Sequence, residues 1–190
     1  MNGITKALVG SGLMLAATAA AAHPGHAESG LTSGLLHPML GLDHLLAVIA
    51  IGLWSLRQKP SLRTATPALM VAGMVLGAGL AFAGVTVPGL ETGIALTVMV
   101  AGLLIATLTR LPTLAAAPMI VFFMALHGSA HGSEMPVGAS AWLYVVGFSA
   151  TTAGLAVGTA KLADRLKGSG GRVTRALGAV IAVSGVILAS

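Results

Sequence analysis

The chain has no cysteine, 8% charged residues, and few aromatic ones: two Trp, one Tyr and four Phe. Each shortage excludes something. Without cysteine there are no disulfides, no iron–sulfur clusters and no thiolate metal sites. Any metal must be met by imidazole, carboxylate, thioether, backbone or water. A soluble domain carries about 25% charged residues, so this chain could not cover a water-facing surface. So few aromatics provide no stacking platform for bases, and nucleic acid is not a partner in spite of a net charge of +5.

What is present is apolar. Hydrophobic residues make up 56% of the 190 positions, and the mean hydropathy is +0.95. A bilayer crossing needs about 20 apolar residues, so six or seven crossings would use the whole chain. The composition implies an all-α, multi-pass membrane protein with a single membrane domain.

The first 22 residues have the layout of a signal peptide. Lys6 forms a basic n-region, Ala7 to Ala17 an apolar h-region, and Ala20-Ala21-Ala22 a small-residue cleavage site. An uncleaved anchor over Ile4 to Ala22 is the alternative. A His-containing tail over 23–36 follows, and then a membrane domain over 37–190. Six apolar runs fill that domain, at Pro38 to Leu56, Ala65 to Thr86, Glu91 to Thr109, Pro112 to Ala130, Ala141 to Ala163 and Val173 to Ala189. They are expected to form a compact six-helix bundle.

Charge orients the bundle. Nine basic residues, Arg57, Lys59, Arg63, Arg110, Lys161, Arg165, Lys167, Arg172 and Arg175, fall on one side, and the connections at 87–90 and 131–140 hold none. Lys and Arg collect in cytoplasmic loops, so both mature termini are expected on the outer side of a bacterial inner membrane. All six histidines then map to the outer side, with Glu28, Asp43, Glu91 and Glu134.

Three groups carry chemistry. In His37-Pro38-Met39-Leu40-Gly41-Leu42-Asp43-His44, a helix starting at Pro38 would aim His37 and His44 nearly the same way, about 10 Å apart. Ionisable residues at the depth of Asp43 and His44 are costly and usually line a polar path. A structural Asp–His pair is the plainer reading. In His127-Gly128-Ser129-Ala130-His131-Gly132-Ser133-Glu134, the i, i+4 imidazoles share one helix face and suit one metal, with Glu134 at i+7. Gly128 and Gly132 could instead unwind that end and expose carbonyls. The third group is His23-Pro24-Gly25-His26, where cleavage after Ala22 would free an amine beside an imidazole. A merely polar tail explains it equally well. The expected site is a convergence of Asp43, His44, His127 and His131.

Other features have structural explanations. Gly73-x3-Gly77 and Gly154-x3-Gly158 suit close helix packing. Met39, Met70, Met99 and Met124 fill gaps, and Glu91 suits a helix N-terminus better than ligation. No nucleotide fingerprint appears, and the two His motifs do not occupy matching places in an inverted repeat.

At the two His motifs the sequence resembles the HupE/UreJ family of membrane proteins associated with hydrogenase and urease systems. The family patterns H-P-x-x-G-x-D-H and H-G-x-A-H-G-x-E are matched by His37 to His44 and His127 to Glu134. One departure is Leu126, where the family has an aromatic residue. The resemblance covers essentially the whole chain. It implies a nickel or cobalt permease supplying metalloenzyme assembly, with His37, Asp43, His44, His127, His131 and Glu134 as functional residues. Imidazole and carboxylate without thiolate independently suit Ni²⁺, Co²⁺ or Zn²⁺. The metal would be cargo, with no prosthetic group and no enzyme activity; self-association is compatible with the sequence. An intramembrane metal-dependent hydrolase and a membrane metal sensor are the rival classes.

Overall fold

The computed structural model describes residues 30–165 and 170–190. The signal segment, His23, His26 and Glu28 lie outside the described residues. Among those described there are seven helices and no strand: α1 (Gly30–Leu40), α2 (Leu42–Ser55), α3 (Pro60–Phe82), α4 (Leu90–Ala106), α5 (Thr113–Ser133), α6 (Ala141–Arg165) and α7 (Gly170–Leu188). Four of them, α3, α5, α6 and α7, are long and apolar enough to cross a membrane. The shorter α4 has 17 residues, about 26 Å of helix. Helices α1 and α2 pass the same test only as a pair, bent by 76°.

That bend corrects the expectation of one continuous helix from Pro38. The helix begins at Gly30 and contains Pro38, then stops at Leu40. Pro38 has no N–H, so the Gly34 carbonyl loses its helical partner just before the break. Gly41 leaves the helix with extended backbone (φ −84°, ψ 115°). Glycine gains little from staying helical, and an added Cβ there would meet Asp43 Oδ1 at 2.9 Å. His37 therefore ends one helix while Asp43 and His44 start another, and the two-turn spacing does not govern their alignment.

Three helix pairs pack backbone to backbone. On α3 and α5, a Cβ on Gly77 would lie 1.9 Å from the Ala125 carbonyl oxygen, and one on Gly128 would lie 2.1 Å from that of Met74. On α1 and α6, Gly34 meets the Tyr144 carbonyl at 2.2 Å in the same construction; on α4 and α7, Gly178 meets the Ala106 nitrogen at 2.4 Å. In lipid there is no hydrophobic drive between helices, so close approach of small residues does the work. The α3–α5 contact also decides the role of Gly128 and Gly132. Helix α5 stays wound to Ser133, so these glycines seat the helix on α3 and do not unwind it. Gly73 and Gly77 pack as their spacing suggests, whereas Gly154 and Gly158 have no neighbour within 4 Å among the described residues. The second small-x3-small pattern thus faces open space.

Trp54, Tyr144, Phe148, Ile51, Met74 and Met124 are all buried in one apolar core cluster. At the basic end of the bundle, the end of α2 meets the α4–α5 connection, and the ends of α3 and α6 meet each other. Trp54 Nε1 donates to the Thr109 carbonyl at 2.9 Å, Gln58 Oε1 accepts from Leu111 N–H at 3.1 Å, and Arg63 pairs with Asp164.

Candidate metal centre

The opposite end of the bundle holds a cavity of about 310 Å³. Each candidate side chain arrives for a local reason. Because α5 remains helical, His127 and His131 project together into the cavity, and their neighbours Gly128 and Gly132 turn to α3. The break at Gly41 brings Asp43 and His44 in on the first turn of α2. Helix α1 delivers His37, and Glu134 caps the end of α5, its N–H donating to the Ala130 carbonyl at 3.0 Å.

All six described candidates, His37, Asp43, His44, His127, His131 and Glu134, line this cavity. They do not play equal geometric parts. The ligand atoms drawn closest are those of His37, His131 and Glu134, all within 4.8 Å of one another. Two atoms bound to one ion at about 2.1 Å are at most about 4.2 Å apart, so closing by less than an ångström would suffice. His37 Nε2 and Glu134 Oε2 are 2.9 Å apart, already a hydrogen bond. Asp43 turns partly toward its own helix, where its Oδ1 accepts from His44 N–H at 2.7 Å.

Below that group lie His44 and His127. Thr97 Oγ1 donates to the Ile94 carbonyl at 2.7 Å and stands 3.0 Å from His127 Nε2. With its proton used, the hydroxyl accepts from Nε2–H and leaves the ring lone pair on Nδ1. Thr152 Oγ1 takes a similar, longer place 3.5 Å from His44 Nε2. His131 differs. Both its ring nitrogens are buried with no hydrogen-bond partner among the described residues. Its ring lies between those of His37 and His44, at centroid distances of 4.5 and 4.4 Å. A buried polar group without a partner costs about 1–3 kcal/mol, and imidazoles left so beside carboxylates fit a cation.

A model of the family described as HupE / UreJ protein matches residues 11–188. The chain belongs to the HupE/UreJ family. Protein HupE of Rhizobium leguminosarum bv. viciae is 38% identical over 168 residues, which is 88% of each chain. No solved structure matches.

Two residues of this HupE/UreJ chain belong to the site without belonging to either His motif. Glu91 stands in the first turn of α4, as its helix-start reading expects, and also lines the cavity with Asp43 and Glu134. With only five acidic residues in the chain, its scarcity was the available signal. Thr97 gave none, because threonine in an apolar helix ordinarily bonds its own backbone. The cavity lining thus holds four imidazoles and three carboxylates, and neither Lys nor Arg. Such a lining attracts cations and repels anions.

Proposed function

We propose that this protein imports a divalent transition metal, nickel or cobalt, across the bacterial inner membrane for hydrogenase or urease assembly. The single observation that carries the reading is His131, buried with both nitrogens unpartnered among the described residues, between two other imidazoles in a carboxylate-lined cavity. Membership of the HupE/UreJ family supports the link to metalloenzyme assembly. In this reading the bent α1–α2 pair is the first of six crossings, and the cavity opens outward. The Lys and Arg at the other end make that end cytoplasmic. The membrane potential alone then favours entry of a divalent cation by about 4.6 kcal/mol at 100 mV.

The N-terminus adds a capture step. Cleavage after Ala22 frees the His23 amine, and His26 stands four residues before Gly30, where α1 begins. Metal caught there is delivered to the cavity mouth. Replacing His23 and His26 with alanine should raise the half-saturating metal concentration and leave the maximal rate intact; unchanged uptake at limiting metal would reduce the tail to a polar leader.

The deciding experiment is uptake of Ni²⁺, with Co²⁺ and Zn²⁺ as competitors, in cells lacking other nickel uptake. Import that depends on His131 and is inhibited most by Co²⁺ is expected. Metal-stimulated hydrolysis without import would replace the reading with the hydrolase one.

A further inference from the structure

The four imidazoles of the cavity form a line and not a ring. Centroids are 4.5 Å apart from His37 to His131, 4.4 Å from His131 to His44, and 5.2 Å from His44 to His127. Exposure falls in the same order, from 25% for the His37 side chain to 5% for His131, 2% for His44 and 1% for His127. The more exposed end of the line is the mouth, where His37 meets Glu134, and Asp43 stands beside His44 further in. The buried end is backed by hydroxyls, Thr152 behind His44 and Thr97 behind His127.

We propose, building on the import reading above, that the ion occupies two successive positions that share His131. The outer one is formed by His37, His131 and Glu134, and the inner one by His131, His44 and His127. Two independent observations lead there. The outer ligand atoms are already gathered within 4.8 Å, and that group includes neither His44 nor His127. Yet His44 Nδ1 is buried without a partner among the described residues, as are both nitrogens of His131. Nitrogens so placed are open to a ligand, and the outer group does not include His44.

The chemistry of imidazole makes the positions alternate. A neutral ring has one lone pair, so His131 serves one ion at a time. The two positions fill in turn, and descent is an exchange of His37 and Glu134 for His44 and His127 around a ligand that stays. Each step replaces ligands before the ion is released, which avoids a bare cation in the apolar interior. It also exchanges an oxygen donor for nitrogen, so the inner position favours ions that prefer imidazole over hard cations such as Mg²⁺. Thr97 acts here as a positioning residue. It fixes the tautomer of His127 and so keeps Nδ1 available as the ligand atom.

The test uses full-length protein purified in detergent, titrated with Co²⁺, whose visible absorption reports its ligands. With His23→Ala and His26→Ala in every protein compared, so that the N-terminal capture site is removed, the otherwise wild-type chain should bind one Co²⁺. The outer double variant, His37→Gln with Glu134→Gln, should still bind one Co²⁺, with an altered spectrum. Loss of Co²⁺ binding in that variant would mean a single outer position and overturn the proposal. In cells, the outer variant should raise the half-saturating concentration, whereas His127→Gln should lower the maximal rate in a way excess metal does not repair. Restoration of wild-type uptake in His127→Gln by excess metal would equally overturn it. Should His127→Gln fail to insert, Thr97→Val leaves every ligand in place and should show the same loss of maximal rate. Thr97→Ser, which keeps the hydroxyl, should restore it; equal rates in the two Thr97 variants would contradict the inner position. Co²⁺ binding as described by a protein that imports nothing would retire the import reading and leave the two positions standing.

Discussion

Gln58 and His131 are both buried polar side chains, 9% and 5% exposed, at opposite ends of the same bundle. Gln58 uses both ends of its amide. Its nitrogen donates to the carbonyls of Trp54 and Thr109 at 3.4 and 3.3 Å, and its oxygen accepts from Leu111 N–H at 3.1 Å. His131 uses neither nitrogen among the described residues. Buried polar groups are normally satisfied, and a satisfied one rigidifies what surrounds it. Gln58 is therefore a brace: it fastens the end of α2 to the α4–α5 connection, where Leu108 holds a left-handed φ of 57° that is unfavourable for a residue with a Cβ. His131 is held by packing alone, and its nitrogens stay available for an ion. Between these two residues, depth draws no distinction and hydrogen bonding does.

The comparison is most sharply broken at His131. His131→Gln should leave the protein inserted at normal abundance and lower uptake at limiting metal by more than about tenfold. A fall in abundance that matches the fall in uptake would make His131 a structural residue too. Glycine supplies the next largest effect. Gly77→Ala pushes a Cβ to within 1.9 Å of a backbone carbonyl, which no side-chain rotation relieves. It should destabilise the protein by about 1–3 kcal/mol or more, read as lost membrane abundance and a lower thermal midpoint.

Gln58→Ala should act on stability in the same way. It leaves Leu111 N–H without its acceptor, a loss of about 1–3 kcal/mol, while uptake per inserted molecule stays close to wild type. Strong loss of uptake at full abundance would move Gln58 out of the bracing role. Acidification should have a smaller and reversible effect. Protons compete with metal for imidazole and carboxylate, so uptake at limiting metal should fall as pH falls and recover with added metal. A flat profile from mildly acidic to neutral pH would count against imidazole ligation. The smallest change is expected for Gly154→Ala, which meets nothing within 4 Å among the described residues and should stay within about 0.5 kcal/mol of wild type.

What could be foreseen follows from the range of each interaction. Same-face placement of His127 and His131 depends only on helical spacing within α5, and it is present in the structure. The six described candidates were legible because ionisable residues are so scarce in an apolar chain. The bend at Gly41 was not, although Pro38 and Gly41 were in view, because a continuous helix over the same residues is equally apolar. Without the bend, the pairing of His37 with Glu134 and of His44 with His127 could not be assigned. Glu91 was legible as a helix start, and only the folding of α4 against α2 and α5 brings it to the cavity. The two glycine patterns had the same spacing and different fates, since spacing specifies a face and not what covers it.

The three backbone-close pairs have a mechanical consequence. A pair locked at such distances moves as one rod, so the bundle has three stiff rods, α1–α6, α3–α5 and α4–α7, with α2 threaded between them. His37 rides on the first rod, His127, His131 and Glu134 on the second, Glu91 on the third, and Asp43 and His44 on the thread. No rod can slide or tilt against another without changing a distance at the cavity. An ion in the outer position would tie the first rod to the second, and one in the inner position would tie the second rod to the thread, so its descent would change which parts of the bundle are fastened together.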